Sequence, residues 1–138
     1  MNALRRLAAL TAVLSLALLC MGMGGFGDTD IVKKIPAPDR SFTVTILDDT
    51  DTTFTVSDFS VEGLTLVPVH LGKANMAIDF AKVKNVTLFE QGSELAATIV
   101  LSDGSTKKVT MSPKTMFYGR TPWGLMQLKA GDIKEIHF

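Results

Sequence analysis

From Ser41 to Phe138 the apolar residues recur at period two or stand in short branched runs, and turn residues interrupt them every few positions. Alternation of this kind places successive side chains on opposite faces of a strand. No window carries a sustained helical stripe. Thr43-Val44-Thr45-Ile46-Leu47 runs into Asp48-Asp49-Thr50, and Thr98-Ile99-Val100-Leu101 runs into Ser102-Asp103-Gly104-Ser105. Each reads as a strand, an Asp-centred turn and a second strand, because Asp side chains bond the backbone of a tight reversal. Upstream, residues 28–40 lack periodicity and hold Pro36 and Pro38, which disfavour helix and ladder alike. This stretch is predicted to be an extended leader.

The two hairpins align with each other at an offset of 55, through Thr55-Val56-Ser57 over Thr110-Met111-Ser112. Further on, Val83-Lys84-Asn85-Val86-Thr87-Leu88 aligns with Ile133-Lys134-Glu135-Ile136-His137-Phe138 at an offset of 50. Gly72-Lys73 and Gly119-Arg120 introduce the strands between. The pattern predicts two tandem copies, at about 41–89 and 96–138, each built from hairpins. In both copies two aliphatics stand three apart, a spacing that a regular strand cannot bury on one face. It predicts a turn or bulge at the same place in each.

The stretch Tyr118-Gly119-Arg120-Thr121-Pro122-Trp123-Gly124-Leu125-Met126-Gln127-Leu128, ending Asp132-Ile133-Lys134-Glu135-Ile136-His137-Phe138, resembles the closing motif of small all-β units of exported bacterial proteins. In these, Gly-x-Thr-x-aromatic-Gly introduces an alternating strand, and a strand of Ile-x-x-Ile-x-Phe type closes a barrel of SH3 or Sm type. The first copy matches loosely, since Asn75-Met76-Ala77 lacks the aromatic-Gly pair. The resemblance implies an all-β fold and a bacterial envelope setting, and no activity.

The residues before the leader read as an address. Arg5 and Arg6 precede an apolar run from Leu7 to Met21, after which Gly22, Gly24, Gly25 and Gly27 lead to Asp28. Charged, apolar and small, in that order, is a secretory signal over residues 1–27, so the expected location is periplasmic or extracellular. Two membrane-tethered alternatives stand beside it. The uncharged run to Gly27 is near the roughly 20 residues that span a bilayer, so an uncleaved anchor fits its length. Cys20 closes the apolar run as an acylated cysteine would, although Leu19 stands where lipoprotein processing prefers a small residue. Cutting after Gly27 leaves a chain without cysteine, which removes thiol chemistry.

Composition narrows the function classes. The 138 residues are 46% hydrophobic and 20% charged, and Lys+Arg 14 balance Asp+Glu 14. A zero formal charge gives no electrostatic case for nucleic acid, which needs a basic surplus on one face. One Cys and two His cannot make a disulfide framework, a Cys-rich zinc site or an iron–sulfur cluster.

Few residues are placed for chemistry. Asp48, Asp49 and Asp51 could face calcium, but the segment lacks the bend glycine and distal glutamate of a calcium loop, and an acidic hairpin turn explains it. His70 and His137 read as ordinary strand positions with no acidic neighbour to complete a metal site. No Gly-x-Ser-x-Gly elbow is present. Lys107-Lys108 reads as a solvated strand at a sheet edge, charged against aggregation. Met116 to Gly124 is the most informative segment, with the only Tyr, Tyr118, and the only Trp, Trp123, around Arg120. These residue types dominate binding hot spots, so Tyr118, Arg120 and Trp123 are the candidate binding residues. The reading favoured for the aromatics themselves is that they fill the end of a small barrel whose core otherwise depends on aliphatics, Met and Phe, so Trp123→Ala is expected chiefly to cost stability.

The sequence thus predicts an exported all-β domain over 41–138, folded as two small SH3-like barrels or one β-sandwich. Its expected function is a non-enzymatic envelope module that binds a protein or envelope component. The alternatives are a small-ligand carrier with an apolar cavity between the copies, a membrane-tethered accessory subunit, or a hydrolase with a spatially assembled site. No cofactor, metal or nucleic acid is expected, and a membrane enters only through Cys20 or an uncut signal.

Overall fold

Hydrophobic alternation resolves into ten strands within residues 32–138, the part of the chain that the computed structural model describes. In chain order these are β1 (Val44–Asp48), β2 (Thr53–Ser60), β3 (Leu66–Leu71), β4 (Ala74–Asp79) and β5 (Val83–Gln91). There follow β6 (Glu94–Leu101), β7 (Thr106–Met111), β8 (Met116–Thr121), β9 (Gly124–Lys129) and β10 (Ile133–His137). Single 3-10 turns at Phe80–Lys82 and Ala130–Asp132 lead into β5 and β10. The expected signal, Cys20 and the first residues of the leader lie outside the described residues.

All ten strands join one curled, half-barrel sheet in the order β4-β3-β7-β6-β5-β10-β1-β2-β8-β9, every neighbour antiparallel. Residues 41–89 and 96–138 therefore do not close into separate barrels, nor do they stack as two sheets. Strand β2 hydrogen-bonds to β8, with Ser57 opposite Arg120, and β3 lies beside β7, with His70 opposite Thr110. The reversal at Val61–Leu64 sends β3 away from β2. Its two ends bond each other at 2.8 and 2.9 Å, and Glu62 and Gly63 adopt positive φ inside it.

The sheet order reads outward from the β5–β10 seam as β6, β7, β3, β4 on one side and β1, β2, β8, β9 on the other. The flanks match in strand order and in the placing of their turns. Strands β3 and β4 and the turn at Phe80–Lys82 recur 50 residues on as β8, β9 and the turn at Ala130–Asp132. The β1–β2 register (Ile46 opposite Phe54) recurs in β6–β7 (Ile99 opposite Lys107) at a spacing of 53. That spacing corrects the sequence offset of 55. A slip of two residues keeps every side chain on its face, so alternation alone could not tell the two apart. Asp51 and Gly104 occupy the same left-handed position, φ 63° and 87°, in turns of equal length. At the seam, Val86 lies opposite Ile136.

Bulges explain the aliphatics spaced three apart. The register shifts between Val83 and Asn85 in β5, and β10 skips Lys134 between its pairs at Ile133 and Glu135. Each bulge takes one lysine out of the alternation, so Val83 with Val86, and Ile133 with Ile136, are buried together.

The core fills the concave face. Phe59 stands at its centre, stacked on Phe117 (centroids 5.2 Å apart, 3° between planes) and on Phe80 (5.4 Å), with Phe138 edge-on at 5.9 Å. Residues 32–40 have no regular structure but are fastened to the domain. Ile35 is 4% exposed, Arg40 donates to Asp79 at 2.7 Å and to the carbonyl of buried Thr65, and the Thr65 hydroxyl donates to Asp39 at 2.9 Å.

One seam is weaker than the rest. Strands β3 and β7 share a single ladder pair, because Pro68 carries no N–H to continue it. Amides of β3 and β4 should therefore exchange with deuterium faster than those of β8 and β9. Equal protection of the two hairpins would contradict this account of the seam.

Candidate functional site

Tyr118 and Arg120 both lie on the face of β8 opposite the buried Phe117 and Gly119. Arg120 is already engaged, with its guanidinium 3.2 Å from the Asp58 carboxylate. Trp123 stands beyond them in the two-residue turn between β8 and β9 and is 82% exposed. It does not fill the barrel end. That role falls to phenylalanines, since a turn residue outside the ladder points away from the concave face. The structure thus brings Tyr118 and Arg120 together and leaves Trp123 at a hairpin tip.

The other sequence candidates are also placed. The Asp48 carboxylate accepts from the backbone N–H groups of Thr50 and Thr52 and from the Thr50 hydroxyl, at 2.8–2.9 Å. These bonds, the Thr50 hydroxyl first, hold its pKa below the ordinary aspartate value. Asp103 is lowered in the same way by Ser105. Asp51 pairs with Lys134 at 2.6 Å, which raises the lysine. His70 bonds Asn75 at 2.7 Å and His137 bonds Glu135 at 2.9 Å, on strands that are not neighbours. Among the described residues, no three His, Cys, Asp or Glu side chains are grouped to hold a metal ion.

A different feature emerges where β3, β4 and β7 meet. Val69, Leu71, Met76 and Ile78 share the concave face, since Val69 lies opposite Met76 across the β3–β4 ladder. With Leu101 and Val109 they line an open apolar corner of about 310 Å³, and Lys107 and Lys108 border it. Leu71 and Met76 are 53% and 45% exposed.

The matching corner on the other flank is packed. Phe54 stands where Lys107 does and is packed against the core. Met126, in the place of Met76, is only 9% exposed. Gly119 takes the place of Val69 and lets β2 and β8 close up; a Cβ there would lie 3.0 Å from the Val56 Cβ. On the open flank the Val69 side chain, Pro68 and a lysine in place of phenylalanine hold the strands apart. The corner is thus a consequence of three residue differences between equivalent positions.

The lysines correct one sequence expectation. Strand β7 lies inside the sheet, between β6 and β3, and not at an edge. Lys107 faces the core side, opposite the buried Ile99. Ion pairs among the described residues are Arg40–Asp79, Arg120–Asp58, Lys134–Asp51 and His137–Glu135, and neither Lys107 nor Lys108 takes part. A wider hollow of about 500 Å³ lies next to it, sharing Leu71, Lys108 and Val109 and adding His70, Gln91 and Thr98. A residue pattern of apolar pairs flanking a Gly-Lys turn could have pointed to the corner. Only the comparison of flanks reveals that it is open.

Fold and site together define an all-β protein with one packed and one open flank. The chain belongs to a family described as "Uncharacterised protein", whose model matches residues 38–138. No curated protein and no solved structure matches it.

Truncation should separate the core aromatics from the exposed one. Phe59→Ala should cost about 3–5 kcal/mol in denaturant unfolding, and Trp123→Ala no more than about 0.5 kcal/mol. A large loss at Trp123 would restore the barrel-filling role.

Proposed function

We propose that the chain is an exported, non-enzymatic envelope module that binds through the open corner between β3, β4 and β7. The observation behind this reading is the difference between the flanks: equivalent strands bury their methionine on one side and expose it on the other. An apolar concavity of this size, bordered by a few polar groups, has the makeup of a binding site. Exposed apolar surface beside a parted seam is otherwise a cost to solubility.

The architecture supports a finer reading. Strands β10-β1-β2-β8-β9 and β5-β6-β7-β3-β4 form two five-strand sets of like order, each with a 3-10 turn before its closing strand. This order fits the SH3-like resemblance of the sequence, with two tandem copies that have exchanged their first hairpins. The matched registers and turns favour duplication over convergence. After duplication, one flank can keep its packing while the other opens for a ligand.

Backbone shift mapping with small-molecule and lipid extracts of the native envelope tests the site. Perturbations should gather at Val69, Leu71, Met76 and Val109. Perturbations centred on Tyr118 and Trp123, or none, would overturn the assignment. Export is tested by intact mass: the proposal expects a soluble species beginning at or near Asp28. An uncut chain, or one starting at an acylated Cys20, would replace the free domain with a tethered one.

A further inference from the structure

The open corner combines two features that the packed one lacks, an accessible apolar floor and cations at its mouth. We infer that it takes a single-chain amphiphile with an anionic head, of the fatty-acid class. This rests on the corner being the binding site, and it specifies the ligand.

The floor is aliphatic, made by Val69, Met76, Ile78 and Val109. It offers dispersion contact and no hydrogen-bond partner, so the ligand body must be apolar. A volume of about 310 Å³ is at the small end of ligand sites, which suits one chain of medium length. Lys107 crosses from the core side of β7, where its stem can lie along apolar surface while the ammonium reaches water. Lys108, on the opposite side of the strand, borders both this corner and the neighbouring hollow. No carboxylate lines the corner, and neither lysine has an ion-pair partner among the described residues. Lys107 acts on the nearby Asp103 from a distance, but that carboxylate is held chiefly by its own turn, where Ser105 donates to it at 2.6 and 2.8 Å. A carboxylate at the mouth therefore meets Lys107, with Lys108 bordering from the other side of the strand, and a cationic head would meet their repulsion.

The packed flank supplies the control. Phe54 occupies there the position that Lys107 holds here. Lys107→Phe should plug the corner with the residue that the fold already accommodates at the equivalent site.

Isothermal titration of the protein purified from its host would use decanoate, decanol and decyltrimethylammonium below their micelle concentrations, with shift mapping to locate each. Decanoate should saturate one site at Val69, Met76 and Val109. Decanol should bind there about fivefold more weakly, the scale of one partly screened ion pair. The trimethylammonium compound should not bind. Lys107→Met with Lys108→Met should bring decanoate to the affinity of decanol, and Lys107→Phe should abolish both, each variant melting like the parent. Equal binding of decanoate and decanol, unmoved by the lysine changes, would overturn the anionic ligand and leave the corner as the site. Absence of any perturbation at the corner by all three probes, while an envelope extract still perturbs it, would overturn the amphiphile alone. Absence with probes and extract alike would overturn the binding site itself.

Discussion

The structure depends on a crossing of partners: β2 pairs with β8, and β3 with β7. Ser57 and Arg120 are neighbours in the sheet although 63 residues apart in the chain. Neither stretch, 41–89 or 96–138, can complete its own hydrogen bonds. A strand left without its partner would expose a full row of N–H and C=O groups, at a cost that folding avoids by closing both pairings together. One cooperative unit follows, with a high share of long-range contacts and the slow folding that such topology brings. The β5–β10 seam, with Val86 against Ile136, then joins the flanks.

The two flanks use the same backbone and differ in side chains. Where Gly119 lies against Val56 and Phe54 packs on the core, the strands pack closely; where Val69, Pro68 and Lys107 stand, they part. The differences are each one residue, but they act together because packing against a sheet is collective: removing one aromatic from the core face exposes the neighbours it covered. Leu71 and Met76 are exposed for that reason. The methionine at the equivalent position of the other flank, Met126, is buried.

Much of the fold class was legible along the chain. Alternation announced strands, Asp-centred turns announced hairpins, and paired aliphatics three apart announced the bulges that the registers show at Lys84 and Lys134. Asp48 and Asp103 bond their own turns, as short acidic side chains in reversals do. Trp123 was not legible. Its size and rarity suited a core as well as a surface, and only its place in a two-residue turn decided for the surface. Lys107 was misread because an edge strand and a parted inner strand carry the same charge pattern.

What the sequence determined by itself was local: which segments are strands, where they turn, and which face of each is apolar, since these follow from period, turn chemistry and steric limits within a few residues. What only the tertiary structure decided was pairing, because any alternating strand can offer its ladder to any other. From pairing came the register spacing of 53 in place of 55, the pairing of β2 with β8 and of β3 with β7, and the open corner. A cavity is a relation between strands that the chain brings together from distant positions, and no single segment contains it.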